Sequence, residues 1–217
     1  MSVKEFGIIG LGKFGLSLAQ ALIKHNQRVV GVDADAEKVK HAAEFLTQTY
    51  QAEATDKMAL TQLGMADLHA VIVSTGGSME ASILVTLFLK ELGCPHVTVK
   101  AISHDHETVL KRVGADDVIF PERYAATQLA AKLAMPGLID YLPLGTNVLL
   151  QELTVQKWAG KTLRELNLTN TYGIQVVAIR QGMEECFQFV PKANQPLHTG
   201  DVLAVIGHGD TIRRLEP

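Results

Sequence analysis

The sequence predicts an α/β chain: a doubly wound parallel sheet followed by a small β-rich α+β domain. Three observations predict it. From Lys4 to about Met135, short β-branched runs alternate with longer helical patterns. A glycine-rich turn, Gly10-Leu-Gly12-Lys-Phe-Gly15, directly follows the first run. Beyond Asn147 the texture becomes strand-like with one short helix. The alternation implies parallel strands, because parallel neighbours need a long crossover connection, usually a helix.

In chain order, the strand candidates are "FGIIG", "RVVGVD", "TQTYQA", "AVIVST", "HVTVKA" and "DVIF". Helical patterns lie between and after them at Phe14–His25, Ala36–Phe45, Asp56–Leu63, Met79–Leu92, His104–Val113 and Ala125–Met135. Six strands so connected fit a Rossmann-type sheet. "MPGLIDYLPLG" (Met135 to Gly145) carries two prolines and two glycines and reads as a linker. The predicted division is therefore residues 1–135, a linker at 136–146, and a second domain at 147–217. In that domain "VLLQELTV", "IQVVAIR", "CFQFVP" and "DVLAVIG" read as strands, "RQGMEE" as a hairpin connection and "HTGD" as a turn. At roughly 70 residues it is near the lower limit for independent stability, so dimerisation is the expected source of more.

Composition narrows the function classes. The chain has 217 residues, 47% of them apolar and 20% charged, a globular balance. Its formal net charge is −3 and it has no basic run, which argues against a nucleic-acid partner. The longest apolar stretch, "SILVTLFL" (Ser82 to Leu89), is interrupted by Thr86 and is too short to span a bilayer. No signal peptide precedes the glycine turn. Cys94 and Cys186 form no pattern and read as free thiols in a reducing compartment. The expected location is cytoplasmic, with any membrane association through a partner.

The glycine turn has the context that gives such a turn meaning. Gly10 allows the tight exit from the strand, Gly12 lets backbone approach a pyrophosphate, and Gly15 lets the next helix pack closely on the sheet. The phosphates then meet unpaired N–H groups at the positive end of that helix. Asp33 closes the second strand, where a carboxylate accepts from ribose hydroxyls. The other strand ends line the same crevice: Ala54 and Thr55, then Ser74, Thr75 and Gly76, then Lys100. "STGGS" also reads as a plain turn with Ser78 as N-cap, and the two readings are compatible. Lys100 reads equally as a solvated strand-end lysine, and Glu122 as a first-turn acid favoured by the helix dipole.

Catalytic chemistry is absent from the pattern. None of Tyr50, Tyr124, Tyr141 and Tyr172 is followed by the Tyr-x-x-x-Lys spacing, and there is no GxSxG, HExxH or P-loop Lys-Ser/Thr sequence. His104 and His106 stand two apart on a helical pattern, so they point apart and cannot easily share an ion. They read as exposed, with Ser103 as the helix cap. His198 and His208 receive no role. A sensor is favoured over an enzyme.

Taken together, "GLGKFG", "VVGVDADAEKV", "ATDKMALTQLG", "ADLHAVIVSTGGSMEASILVTLFLKELG", "VTVKA", "VLKRVGADDVIFPE" and "YGIQVVAIR…GDVLAVIGHGDTIRRLE" follow one family in order and spacing over nearly the whole chain. The sequence resembles the cytosolic regulatory subunits of bacterial Ktr and Trk potassium-uptake systems. These are built from RCK (KTN, or TrkA-N) domains with an RCK-C (TrkA-C) domain behind. A single unit is more similar to the KtrA-like type than to the tandem Trk type. The resemblance implies a homodimer that assembles into a homo-octameric ring beneath a membrane-embedded, KtrB- or TrkH-like potassium-translocating subunit. It implies ATP and ADP in the Rossmann crevice, stabilising different ring shapes, with ATP favouring transport.

By the same resemblance, Gly10, Gly12, Lys13, Phe14 and Gly15 surround the phosphates. Asp33 and Asp35 take the ribose and adenine sides, and Ala54, Thr55, Ser74, Thr75, Gly76 and Lys100 complete the lining. Lys13 stands where an arginine commonly reaches a neighbour's γ-phosphate; it keeps the charge without the bidentate fork. Glu122 matches an acid at the dimer interface that holds a divalent cation (Mg²⁺ or Ca²⁺) against the phosphates. Some relatives bind cyclic di-AMP in the TrkA-C domain. Here Thr169 stands where a basic residue would meet its phosphates, and "LRELNLTNTYGIQVVAI" is read instead as a plain dimerisation surface. Two alternatives stay open: an NAD(H)-binding regulator of the Trk type, and an NAD-dependent oxidoreductase. Asp33 suits ATP or NADH equally and would repel the 2′-phosphate of NADPH.

Overall fold

The computed structural model describes residues 2–75, 77–135, 137–141, 147–182 and 184–217. The chain divides into two compact units, the first ending at Glu122 and the second beginning at Arg123.

The first unit alternates β1 (Glu5–Ile9), α1 (Lys13–Lys24), β2 (Arg28–Asp33), α2 (Ala36–Ala42), β3 (Gln48–Gln51), α3 (Lys57–Gln62), β4 (Ala70–Val73), α4 (Met79–Glu91), β5 (Val97–Lys100), α5 (His104–Val113) and β6 (Asp117–Ile119). A 3₁₀ turn at Met65–Asp67 precedes β4. The six strands pair in parallel in the order β3-β2-β1-β4-β5-β6, with the order reversing beside β1. That reversal opens a crevice at the carboxyl ends of β1 and β4, the usual place for a ligand in such a sheet. Helices cover both faces, so a central strand such as β4 is buried along its whole length and reads as an unbroken apolar run.

Local sequence starts the helices. Asp35, Asp56, Ser78 and Ser103 each accept a backbone N–H from the first turn of α2, α3, α4 and α5, supplying a partner to a donor that the helix leaves unpaired. Helix α1 is different. It begins on Gly12, with no side-chain cap and no acid in its first turn.

The second unit carries the rest of α6 (Pro121–Ala134), then β7 (Leu138–Tyr141), β8 (Val148–Thr154), α7 (Leu163–Leu166), α8 (Leu168–Tyr172), β9 (Gln175–Arg180), β10 (Gln188–Phe189), β11 (Val202–His208) and α9 (Gly209–Ile212). Its antiparallel sheet has the order β10-β9-β11-β8-β7. Leu149, Ile179, Leu203 and Val205 pack with Trp158 and Leu168 into its core. Helix α7 is held by a reciprocal cap, Thr162 to the Glu165 N–H and Glu165 back to the Thr162 N–H.

Three expectations change. The linker predicted at 136–146 contains β7, because pairing with β8 supplies a partner for backbone that the prolines made look irregular; Pro136 and residues 142–146 lie outside the described residues. The division of the chain falls at 122/123 rather than near 135, since Ala131 of α6, and Met135 just after it, pack into the second core. That unit carries three short helices after its first long strand where one was expected.

Candidate functional site

The carboxyl ends of the parallel strands enclose a cavity of about 560 Å³, the size of a small-ligand site. The glycine turn forms one wall. Gly10 has φ +96°, and a Cβ there would stand 2.5 Å from the Ser74 carbonyl oxygen; only glycine lets β1 and β4 exit so close together. A Cβ on Gly15 would collide with the Gly10 carbonyl oxygen, so α1 can pack there only without one. Gly12 has a different purpose. A Cβ on it would meet nothing within 4 Å, because the space it faces is open. The positive end of α1 therefore faces the cavity uncapped, a ready seat for an anion.

Asp33, at the end of β2, stands directly beside that turn. Its Oδ2 accepts the Leu11 N–H at 2.7 Å and its Oδ1 accepts the Asp35 N–H at 2.9 Å. Lys38 Nζ lies 3.5 Å from Oδ1, and the carboxylate is only 10% exposed. An ionised carboxylate has about four acceptor positions, so it can still receive ribose hydroxyls. Ile9, Val32, Ala52 and Ala54 give this end an apolar floor for a base.

At the phosphate end, Ser74 is buried, and Thr75 Oγ1 is buried without a hydrogen-bond partner. A buried unpaired hydroxyl is costly and points to a ligand atom that completes it. Lys100 is 14% exposed; its ammonium donates to Glu122 and lies 5.9 Å from the Phe14 ring centroid. Lys100 beside it, then the Glu122 N–H, hold the Glu122 carboxyl below the usual carboxylate range. Glu122 itself is 71% exposed.

Of the residues predicted to line the site, Gly10, Gly12, Lys13, Phe14, Asp33, Ala54, Ser74, Thr75, Lys100 and Glu122 line the cavity. Gly15, Asp35 and Thr55 do not. Gly15 acts through packing, Asp35 caps α2, and the Thr55 hydroxyl donates to Glu53 Oε1 at 2.9 Å. Gly76 lies outside the described residues. The cavity adds Lys38 and Glu53, which sequence reading missed. The i, i+3 spacing of Asp35 and Lys38 was the one available signal for Lys38.

Another expectation is overturned. His106 is 1% exposed, not solvated: it lies between α4 and α5 with Ser82 Oγ 2.9 Å from its Nε2. Among the described residues no group of three His, Cys, Asp or Glu could hold a metal ion. No His, Tyr or Cys lines the cavity among the described residues. Among them, too, no helix is long and apolar enough to cross a membrane.

Residues 6–121 match the TrkA-N domain model and residues 150–217 the TrkA-C domain model. The chain is 39% identical over 214 residues to Ktr system potassium uptake protein C of Bacillus subtilis, covering 98% of this chain and 96% of that protein. It is 34% identical to Ktr system potassium uptake protein A of the same organism, with the same coverage. Among solved structures, the GsuK RCK domain superposes with a TM-score of 0.56 at 22% identity, covering 97% of this chain and 45% of that one. The GsuK channel bound to NAD gives 0.57 at 22% identity over 98% of this chain and 38% of that one. These two show the same fold.

Proposed function

The chain belongs to the TrkA-N/TrkA-C family of Ktr-type potassium-uptake proteins, and from that premise we propose that it is the nucleotide-sensing regulatory subunit of a potassium transporter. Lys13, the α1 N-terminus, Ser74, Thr75 and Lys100 hold phosphates, Asp33 holds the ribose, and the apolar floor takes the adenine. The observation that carries this is the polarity of the cavity. An uncapped helix end and an unpaired Thr75 hydroxyl supply donors, and the nearly buried Asp33 at the end of the neighbouring strand supplies a fixed acceptor.

ATP and ADP are the proposed ligands. Glu122, with a divalent cation, and Lys13 read the γ-phosphate at a homodimer interface. A ligand shifts a conformational equilibrium only by its differential affinity for the two states, and one extra phosphate supplies such a difference. The dimers assemble into an octameric ring on the cytoplasmic face of a membrane-embedded potassium-translocating subunit, which is how the protein reaches the membrane. The TrkA-C unit is read as a dimerisation surface, and cyclic di-AMP is not among the proposed ligands. No catalytic role is assigned; among the described residues the cavity is lined by no His, Tyr or Cys. A second reading is an NAD(H)-binding regulator: Asp33 serves either adenosine ribose equally.

Thermal unfolding against ATP, ADP, AMP, NAD and NADH, each with and without Mg²⁺, tests this. A ligand that binds only the folded state raises the melting temperature by mass action. The proposal expects a rise with ATP and ADP, modified by Mg²⁺ for ATP alone. A rise with NADH alone supports the second reading, and no rise with any of them removes both.

A further inference from the structure

We propose that His106 is a positioning residue for the phosphate end of the cavity: its buried, neutral imidazole ties the loop after β4 to the loop after β5. This rests on the nucleotide reading above.

The ring lies in the first turn of α5 and is almost completely buried. Its Nδ1 accepts the backbone N–H of Ile102 at 3.3 Å. Its Nε2 lies 2.9 Å from Ser82 Oγ, in the first turn of α4. Ser82 Oγ in turn reaches the Met79 carbonyl at 2.8 Å, and the Ser82 N–H donates to the Ser78 carbonyl at 3.2 Å. The proton positions follow from these partners. A backbone N–H can only donate, so Nδ1 is the acceptor and carries no proton. Nε2 then carries it and donates to Ser82, whose own hydroxyl proton goes to the Met79 carbonyl, an obligate acceptor. One tautomer, uncharged, satisfies every group in the chain.

What the two ends hold gives this network its use. Ile102 lies two residues beyond Lys100, which borders the cavity. Met79 and Ser82 continue directly from the loop that contributes Ser74, Thr75 and Ser78 to it. The imidazole thus sets the distance between two walls that meet the same phosphates, from a position that touches no ligand. An apolar residue of similar size would fill the volume without the desolvation cost of a buried polar ring. Such a residue would leave the Ile102 N–H and the Ser82 hydroxyl free to choose other partners.

The full chain carrying His106→Leu, His106→Asn, His106→Gln or Ser82→Ala, compared with the unaltered protein, provides the test. Calorimetry reads ADP affinity and NMR titration reads adenosine affinity. ADP affinity should fall about tenfold in His106→Leu, the loss of one buried hydrogen-bond link. Adenosine, which needs only the Asp33 end, should bind as before. Asn keeps the acceptor for Ile102 and Gln keeps the donor for Ser82, so each should recover part of the loss. Should His106→Leu fail to fold, Ser82→Ala and the two amides carry the same comparison. Imidazole ¹⁵N shifts of the unaltered protein should show protonated Nε2 and bare Nδ1. Unchanged ADP affinity in every variant, equal losses for ADP and adenosine, or a protonated Nδ1 overturns the proposal and leaves the nucleotide reading intact. Failure of the unaltered protein to bind any adenine nucleotide overturns both.

Discussion

The Asp33 carboxylate accepts the Leu11 N–H at 2.7 Å, so one side chain both faces the cavity and fastens the glycine turn to the end of β2. Asp33→Ala therefore has two effects. It leaves the N–H of fully buried Leu11 without its partner, which should cost about 1–3 kcal/mol of stability. It should also weaken ATP, ADP and NADH alike, since all share the adenosine ribose. Unfolding curves and calorimetry on the same variant separate the two; an unchanged ATP affinity would place the ribose elsewhere.

The two later glycines of the turn should respond in opposite ways. Gly12→Ala meets nothing within 4 Å and keeps an ordinary φ of −73°, so without nucleotide it should lose no more than about 1 kcal/mol. The new methyl projects where phosphates approach, so the ADP-induced rise in melting temperature should disappear. Gly15→Ala drives a Cβ into the Gly10 carbonyl and should already destabilise the unliganded protein. Equal behaviour of the two variants would contradict this division.

Burial pushes the His106 imidazole below its ordinary value of 6.5. The unfolded chain takes up a proton there before the folded chain does, so this contribution to stability is complete above pH 6.5 and is lost as pH falls from that value towards the folded pKa. Glu80, Asp105 and Glu107, on the first turns of the same two helices, carry the neighbouring charges. Glu107, held low by Lys111 and then His104, and Glu122, held low by Lys100, lose their contributions only as pH falls below about 4.5. Denaturant midpoints measured across the interval between these values should slope in the unaltered protein and slope less in His106→Leu. Identical slopes would refute the assignment.

In the second unit, Leu203 is fully buried on the central strand β11. Leu203→Ala should cost about 2–5 kcal/mol. In so small a core that is a large share of the total, and calorimetry should show a transition at lower temperature. A shift within error would mean that this unit draws its stability from elsewhere, such as a dimer contact.

Much of this molecule is local and therefore readable from its residues. The glycine turn, Asp33 at the end of a β-branched run and the alternation of strand and helix each involve neighbours in the chain. They determined the parallel sheet, the place of the crevice and most of its lining. The Ser78 and Ser103 caps were legible for the same reason, since a cap reaches only two or three residues ahead. Tertiary structure alone decided the rest. Lys100 meets Glu122 across 22 residues and His106 meets Ser82 across 24. The segment 138–141 became a strand only because β8 was there to pair with it. A side chain's burial, charge state and partners depend on which elements pack against it, and a periodic pattern shows that an element is amphipathic without showing what will cover it. His106 looked like an exposed helix residue for that reason, and the packing of α5 against α4 placed it inside.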